Sequence, residues 1–495
     1  MFWTSWILAG IYAIMLLQAF FWYKRTSSSK VYISSDRNIS ASAAVVSAMM
    51  TSAAVPIFLI LPQKVVLENG LLQSIIVGIS VVVGFVAAYL LLAERLRIYS
   101  EIMGGTTTVP SFISKRFKDS TGWLRSLSAS LITVFMVLLA AYALSQAAGI
   151  VSLAFEISRT TAVMLITIGS IVCLYLGGIS ASVFTDRLRS FIVLGTIIAV
   201  FGFILFELIV GDNDHSSVRM IPETLENQGV TVGSVISCIG VALGCLGFPT
   251  QIKRFLIIKE RKPAKRFFLT PLIICSVFAA GMLFVSYIAL SKASATASVA
   301  EFLGELETVG SVRVFNAVID SLIFVSMLVV LTAVADGAIL AAAVTFSSDV
   351  FNNTLTHETE EKKNLFSNKV TVLVMGFAVC LLSLSENTLP IMAPDFIWSV
   401  MGACFGPVIL FSLYCKRLTL KGSVASMIGG LLTVLIWQFI LEPLGGIFTI
   451  YEIIPGFIVS TLALYVVSYL DRQKPSARTV NEFNRMKEIT KMPRL

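Results

Sequence analysis

Residues 231–251 read TVGSVISCIGVALGCLGFPTQ. The run is apolar and long enough to cross a bilayer, which takes about 20 residues. It nevertheless carries Gly233, Gly240, Gly244 and Gly247 and closes on Pro249. Glycine and proline weaken a helical hydrogen-bond ladder and leave backbone groups looking for partners. In lipid those groups must meet protein, a ligand or water. A second run, ASAAVVSAMMTSAAVPIFLILP (41–62), is crowded with small and hydroxyl residues and contains Pro56. Close packing by small residues accounts for either run taken alone. Their spacing adds information, because counted along the chain they are the second and seventh apolar runs. Two five-helix units, each opening on an interrupted helix, must face opposite ways across the membrane. That is the pattern of an inverted-repeat secondary transporter with its site at the midplane.

The rest of the composition agrees. The chain has 495 residues, of which 56% are hydrophobic and only 13% charged. A soluble domain carries about 25% charged residues. The mean hydropathy is +0.87. This is an integral membrane protein by composition. The formal net charge of +8 sits in loops between apolar runs, so it reads as topology control rather than nucleic-acid binding. The seven cysteines form no C-x-x-C pair and there are only two histidines, which argues against a zinc or iron–sulfur site. No Walker motif, nucleophile elbow or other catalytic set occurs, so neither an ATP-driven pump nor an enzyme is expected.

Thirteen candidate spans follow from run length: 4–23, 41–62, 71–94, 124–148, 160–182, 187–210, 231–248, 266–291, 313–346, 368–387, 394–415, 422–441 and 449–470. The first has no Lys or Arg before it and Lys24, Arg25 and Lys30 after it, the reverse of a cleaved signal peptide. It reads as a retained helix with its N-terminus outside. Segments 24–40, 95–123, 249–265 and 471–495 hold 4, 5, 6 and 7 Lys/Arg, whereas 63–70, 149–159 and 211–230 hold one each. By the positive-inside rule the former are cytoplasmic. The expected organisation is an N-terminal extra helix and cytoplasmic loop (1–40), a first inverted repeat (41–210), a second (231–415), two C-terminal helices (422–470) and a basic cytoplasmic tail (471–495). The tail is a candidate for contact with anionic headgroups.

Ionisable residues within spans are few and costly, so each is a functional candidate. Asp336 lies in the ninth span, within LTAVADGAIL (331–340). Asp320 and Glu207 sit nearer outer ends. Asp186 precedes Arg187 and Arg189 at the start of the sixth span, where capping is the plain alternative. No arginine falls inside spans two or seven as bounded here, which leaves helix N-termini to hold a solute carboxylate.

Five stretches in order resemble the sodium:solute symporter family, in the proline permease style. They are RLRIYSEIMGGTTTVPSFISKRF (95–117), CLYLGGISASVFTDRLRSFIVLG (173–195), GCLGFPTQIKRF (244–255), ADGAILAAAVTFSSDVF (335–351) and FGPVILFSLYCKRLTLKGSVASMIGGLLTVLIW (405–437). The likeness covers roughly residues 40–440. It implies an all-α integral membrane protein of about thirteen transmembrane helices, a LeuT-type 5+5 inverted repeat with peripheral helices, located in the plasma (inner) membrane. It also implies alternating access and cotransport of a small organic solute with sodium.

Carried over residue by residue, the resemblance places the ion-binding carbonyls on Ala48, Thr51 and Val330. The two hydroxyl ligands of the ninth span fall on Ala333 and Val334, which have no hydroxyl. A hard cation wants oxygen ligands, so the ion site is depleted, with Thr332 about 100° around the helix from Ala333. The solute-binding positions fall on Ser52, Ala53, Gly244, Cys245, Leu246 and Phe248. No cofactor is expected, and Na+ or H+ is the candidate coupling ion, with Asp186 and Asp336 as candidate proton or polar relays. The expected partners are a small-molecule solute and the lipid bilayer. Three readings stand: a secondary transporter with altered coupling, a conventional sodium symporter, and a non-transporting membrane sensor.

Overall fold

A computed structural model describes residues 28–66, 71–210, 232–261, 269–290, 313–351, 361–385, 390–472 and 475–491, with scattered residues between 10 and 26. Most of the first expected span, the loop 211–230 and the side chains of Glu207 and Asp320 lie outside the described residues.

The described chain is almost wholly helical, as lipid requires of a backbone that must satisfy its own hydrogen bonds. In order, the helices are α1 (Ser29–Ser34), α2 (Ala41–Ala48), α3 (Leu71–Ala88), α4 (Glu94–Ile102), α5 (Val109–Phe117), α6 (Trp123–Phe155), α7 (Arg159–Val210) and α8 (Val232–Gly247). They continue as α9 (Pro249–Leu256), α10 (Leu269–Leu290), α11 (Arg313–Thr345), α12 (Glu361–Ser383), α13 (Pro394–Tyr414), α14 (Leu420–Ile436), α15 (Ile453–Leu470) and α16 (Ala477–Lys491). Among the described residues nine helical stretches are long and apolar enough to cross a membrane, ten when the bent α8–α9 pair is taken as one. The internal break of α7 divides one of these stretches in two, and the eighth expected span contributes a shorter apolar helix, Leu272–Gly281.

Three expected boundaries are corrected. The second span is not unwound: α2 runs on through wide, π-type turns at Met49–Ala53 and Val55–Val66. Thr51 and Ser52 hydroxyls bond back to the Ser47 and Ala48 carbonyls at 2.8 and 2.5 Å. Those internal partners let the ladder widen without opening. The break between the fifth and sixth spans is at Gly178 (φ 54°, ψ −139°), upstream of the expected polar loop at 183–186. Glycine alone adopts that backbone at little cost, and a Cβ there would lie 2.6 Å from the Tyr32 carbonyl. Finally, 249–256 is not a loop. α9 continues the seventh span after a 42° bend at Phe248, and every one of its eight residues is buried.

The core lies where α2, α8, α9 and α11 meet α7 and α13. The second and ninth spans are almost wholly buried in protein, while α12, α14 and α15 present most of their surface outward. At the basic end the two interrupted spans are clasped together. Ile39 and Ile258 form a parallel bridge, Lys259 N–H donates to the Ile39 carbonyl at 2.8 Å, and Ala41 N–H donates to Glu260 Oε2 at 3.0 Å. Arg97 Nε donates to the Ile258 carbonyl at 2.5 Å. Nearby, Arg37 donates to Ser100 Oγ and the Thr106 carbonyl. Burial, then the neighbouring Arg97, lowers its guanidinium to about 10, so it stays charged at neutral pH. The C-terminal segment is an amphipathic helix rather than a free tail. In α16 Phe483 and Met486 are buried, Phe483 meets the Tyr99 ring at 6.4 Å, and Glu482 pairs with Lys118 at 2.8 Å.

Candidate transport site

The widened turn of the second span and the bend of the seventh face one another. Ser52 Oγ is 2.5 Å from the Ala48 carbonyl and 3.1 Å from Gln251 Oε1. A hydroxyl has one proton, so it cannot serve both acceptors. Exchanging the two ends of the Gln251 amide lets its nitrogen donate to Ser52 and leaves its oxygen spare. Either way the fully buried Gln251 amide keeps one end without a partner among the described residues. Thr250 Oγ1 donates to the Thr51 carbonyl at 3.1 Å, tying the same two spans.

Of the expected solute-binding positions Ser52 meets Gln251, Gly244 lies against Trp398, and Cys245 Sγ turns to the Val81 carbonyl of α3. Ser52, Ala53, Gly244, Cys245 and Phe248 are buried, and Leu246 is half-buried. Gly244 is a cradle for Trp398 of α13. A Cβ on Gly244 would stand 2.0 Å from Trp398 Nε1. The indole donates to the Val241 carbonyl at 2.9 Å and packs against the Phe248 ring at 4.7 Å. The Gly-rich sequence marks both the bend and this close approach, and the packing alternative for the seventh span holds together with the break.

The expected ion positions are on the second and ninth spans, which touch where Gly337 meets Thr51. Ala48, Thr51, Val330, Ala333 and Val334 are all fully buried. Thr332 Oγ1 turns to the carbonyls of Leu328 and Val329 on its own helix. Gly337 packs on Thr51 so closely that a Cβ there would be 2.7 Å from the Thr51 methyl carbon.

Asp186 and Asp336 belong to one buried cluster. Arg189 reaches Asp336 Oδ2 at 2.5 Å and Asp186 Oδ1 at 3.3 Å. Arg254 of α9 lies 3.6 Å from Asp186 Oδ2, and it donates to Ser47 Oγ at 2.7 Å and Ser182 Oγ at 2.8 Å. Ser47 in turn donates to Asp186 Oδ2 at 2.5 Å. Asp186 is therefore no helix cap: it lies inside α7, eight residues past the Gly178 break, and is fully buried. The expectation of no buried arginine in the seventh span also fails, because Arg254 is on its second half.

Arg189, Arg254, Gln251 and Trp398 escaped the sequence reading. Asp186 and Arg189 are three apart, so they share a helix face, and that spacing was a usable signal for Arg189. Arg254 and Gln251 were hidden by reading 249–265 as a loop. Nothing local marks Trp398.

Two bent or widened spans of a multi-pass α-helical protein, meeting at a buried polar junction, form the arrangement of an inverted-repeat secondary transporter. The sodium:solute symporter family profile matches residues 32–430. The chain belongs to that family. It is 27% identical to an osmoregulated proline transporter of Bacillus subtilis, over 97% of this chain and 98% of the relative. It is also 27% identical to a sodium/proline symporter of Staphylococcus aureus, over 99% and 97%. A Na+-coupled sialic acid symporter in a substrate-bound, outward-open state shares the fold, with a TM-score of 0.70 at 15% identity and coverage of 95% and 98%.

Proposed function

We propose that this protein carries a small amino-acid-like solute of the proline class across the plasma membrane by alternating access, with its N-terminus outside. Two five-helix units, 41–210 and 231–415, move against each other around the junction of the second and seventh spans. The observation that carries the reading is the meeting of Ser52 and Gln251 at that junction, where a buried amide keeps hydrogen-bonding capacity to spare. Buried polar groups without a partner are uncommon and call for one. The N-terminus of α9 adds backbone N–H groups suited to a carboxylate. Relatives named for proline transport over nearly their whole length support the solute class.

Uptake of labelled proline into proteoliposomes, competed by a panel of amino acids and monocarboxylates, tests the proposal. The expected result is saturable uptake that Gln251→Ala lowers at least tenfold while the thermal midpoint of the purified protein holds. Absence of uptake and binding for every amino acid in the panel would overturn it. Binding without accumulation would return the protein to the sensor class.

A further inference from the structure

The four-charge cluster joins α7, α9 and α11 and reaches the second span through Ser47, beside the expected ion positions in sequence. Ser47, which bonds Asp186, directly precedes Ala48, and Asp336 is two residues beyond Val334. We infer that Arg189 supplies, as a fixed part of the chain, the positive charge that a coupling cation would bring to this seam, so that transport does not depend on sodium. The inference rests on the transport reading of this junction.

Three observations carry it. The first is ligand chemistry. Ala333 and Val334 offer no side-chain oxygen, and the Thr332 hydroxyl is spent on its own helix. The Ala48 and Thr51 carbonyls already accept from Ser52 and Thr250. A sodium ion wants several oxygens, and the residues present do not fit it.

The second is space. The Gly337 backbone rests on Thr51, leaving less than a methyl group's room between the two spans at this level.

The third is charge. Asp186 and Asp336 are matched by Arg189 and Arg254, each at most 4% exposed at its side chain. The cluster is electrically complete. A further cation would leave a net positive charge in a low-dielectric interior, which is strongly disfavoured. Arg189 also joins the two repeats, from α7 in the first to Asp336 of α11 in the second. It thereby does structurally what a shared ion does between two elements. A guanidinium suits this role because it is permanently charged and presents several donors in a fixed fork.

The test uses the full-length protein in proteoliposomes and in detergent, with sodium chloride against choline chloride. Unchanged protein is expected to take up proline within twofold in the two salts and to show no sodium-specific shift in melting temperature. Arg189→Gln leaves the cluster one negative charge in excess. It is expected to acquire sodium dependence, at least tenfold in uptake or as a saturable sodium-specific thermal shift. Arg189→Gln with Asp336→Asn restores neutrality and is expected to lose that response, while Arg189→Lys keeps sodium independence.

Unchanged protein whose uptake falls tenfold or more in choline, or which is stabilised saturably by millimolar sodium, overturns the inference. So does a folded Arg189→Gln protein indifferent to sodium. Should Arg189→Gln fail to fold, the response of the unchanged protein decides. If no solute is transported in either salt, the functional reading fails, while the thermal response to sodium still judges the inference.

Discussion

Replacing Gly244 by alanine tests whether the bend of the seventh span is built around the Trp398 ring. The added carbon would lie 2.0, 2.3 and 2.6 Å from Trp398 Nε1, Cε2 and Cδ1. All three contacts are to one side chain, so the whole indole must retreat by more than 1 Å, roughly the shortfall from normal van der Waals contact. Trp398 is fully buried and has little room to retreat. Overpacking of this kind costs about 1–3 kcal/mol. Retreat also breaks the 2.9 Å bond to the Val241 carbonyl, about 1 kcal/mol. It loosens the 4.7 Å contact with Phe248, worth about 0.5–1.5 kcal/mol. Gly244→Ala should therefore destabilise by about 3–5 kcal/mol. Trp398→Phe alone loses the hydrogen bond and leaves a void, costing about 2 kcal/mol. The smaller ring makes room for the alanine, so the double variant should fall short of the summed losses by at least ~1 kcal/mol. Unfolding of the four proteins in detergent, followed by tryptophan-independent thiol labelling of buried Cys245, gives the cycle. Additive losses, or a Gly244→Ala protein as stable as its parent, would refute the reasoning.

Other substitutions probe separate parts of the fold. Arg254→Ala leaves Asp186 short of one of its two guanidinium partners and should cost about 3 kcal/mol or more, read as lost expression and a lowered melting point. Arg254→Lys should recover little, since an ammonium cannot reproduce the paired bonds to Ser47 and Ser182. Gly178→Ala meets both a positive φ and the Tyr32 carbonyl, a combined loss of about 3 kcal/mol or more. The same test at Gly195, where a Cβ meets nothing within 4 Å, should be nearly silent. Phe483→Ala removes the ring that seats α16 against Tyr99. Limited trypsin digestion should then cut at Arg478, Arg485 or Lys487 several times faster, with the membrane core intact.

Much of the architecture was legible because a bilayer imposes a blunt rule. Long apolar runs separated by basic and neutral loops can only be spans, and 394–415 or 422–441 fell within a few residues of their helices. The glycines of the seventh span and the proline of the second located the two exceptional helices. The resemblance to sodium:solute symporters followed from the loops and the stretch around Asp336. The readings that failed involved polar residues buried by distant partners. Arg254 looked like a loop charge because its partners, Ser47 of α2 and Ser182 of α7, lie 207 and 72 positions away in sequence. The second span looked interrupted at Pro56, yet the Thr51 and Ser52 hydroxyls bond within its wide turn.

The sequence by itself determined a helical membrane protein and its family, since hydropathy and residue identity are local properties. Only the tertiary structure decided what a charged side chain means. Asp336 was an unexplained carboxylate until α7 brought Arg189 to 2.5 Å from it, and Asp186 was a plausible cap until α9 brought Arg254 beside it. Electrostatic energy depends on distance and burial. Both arise from the way helices remote in sequence pack together.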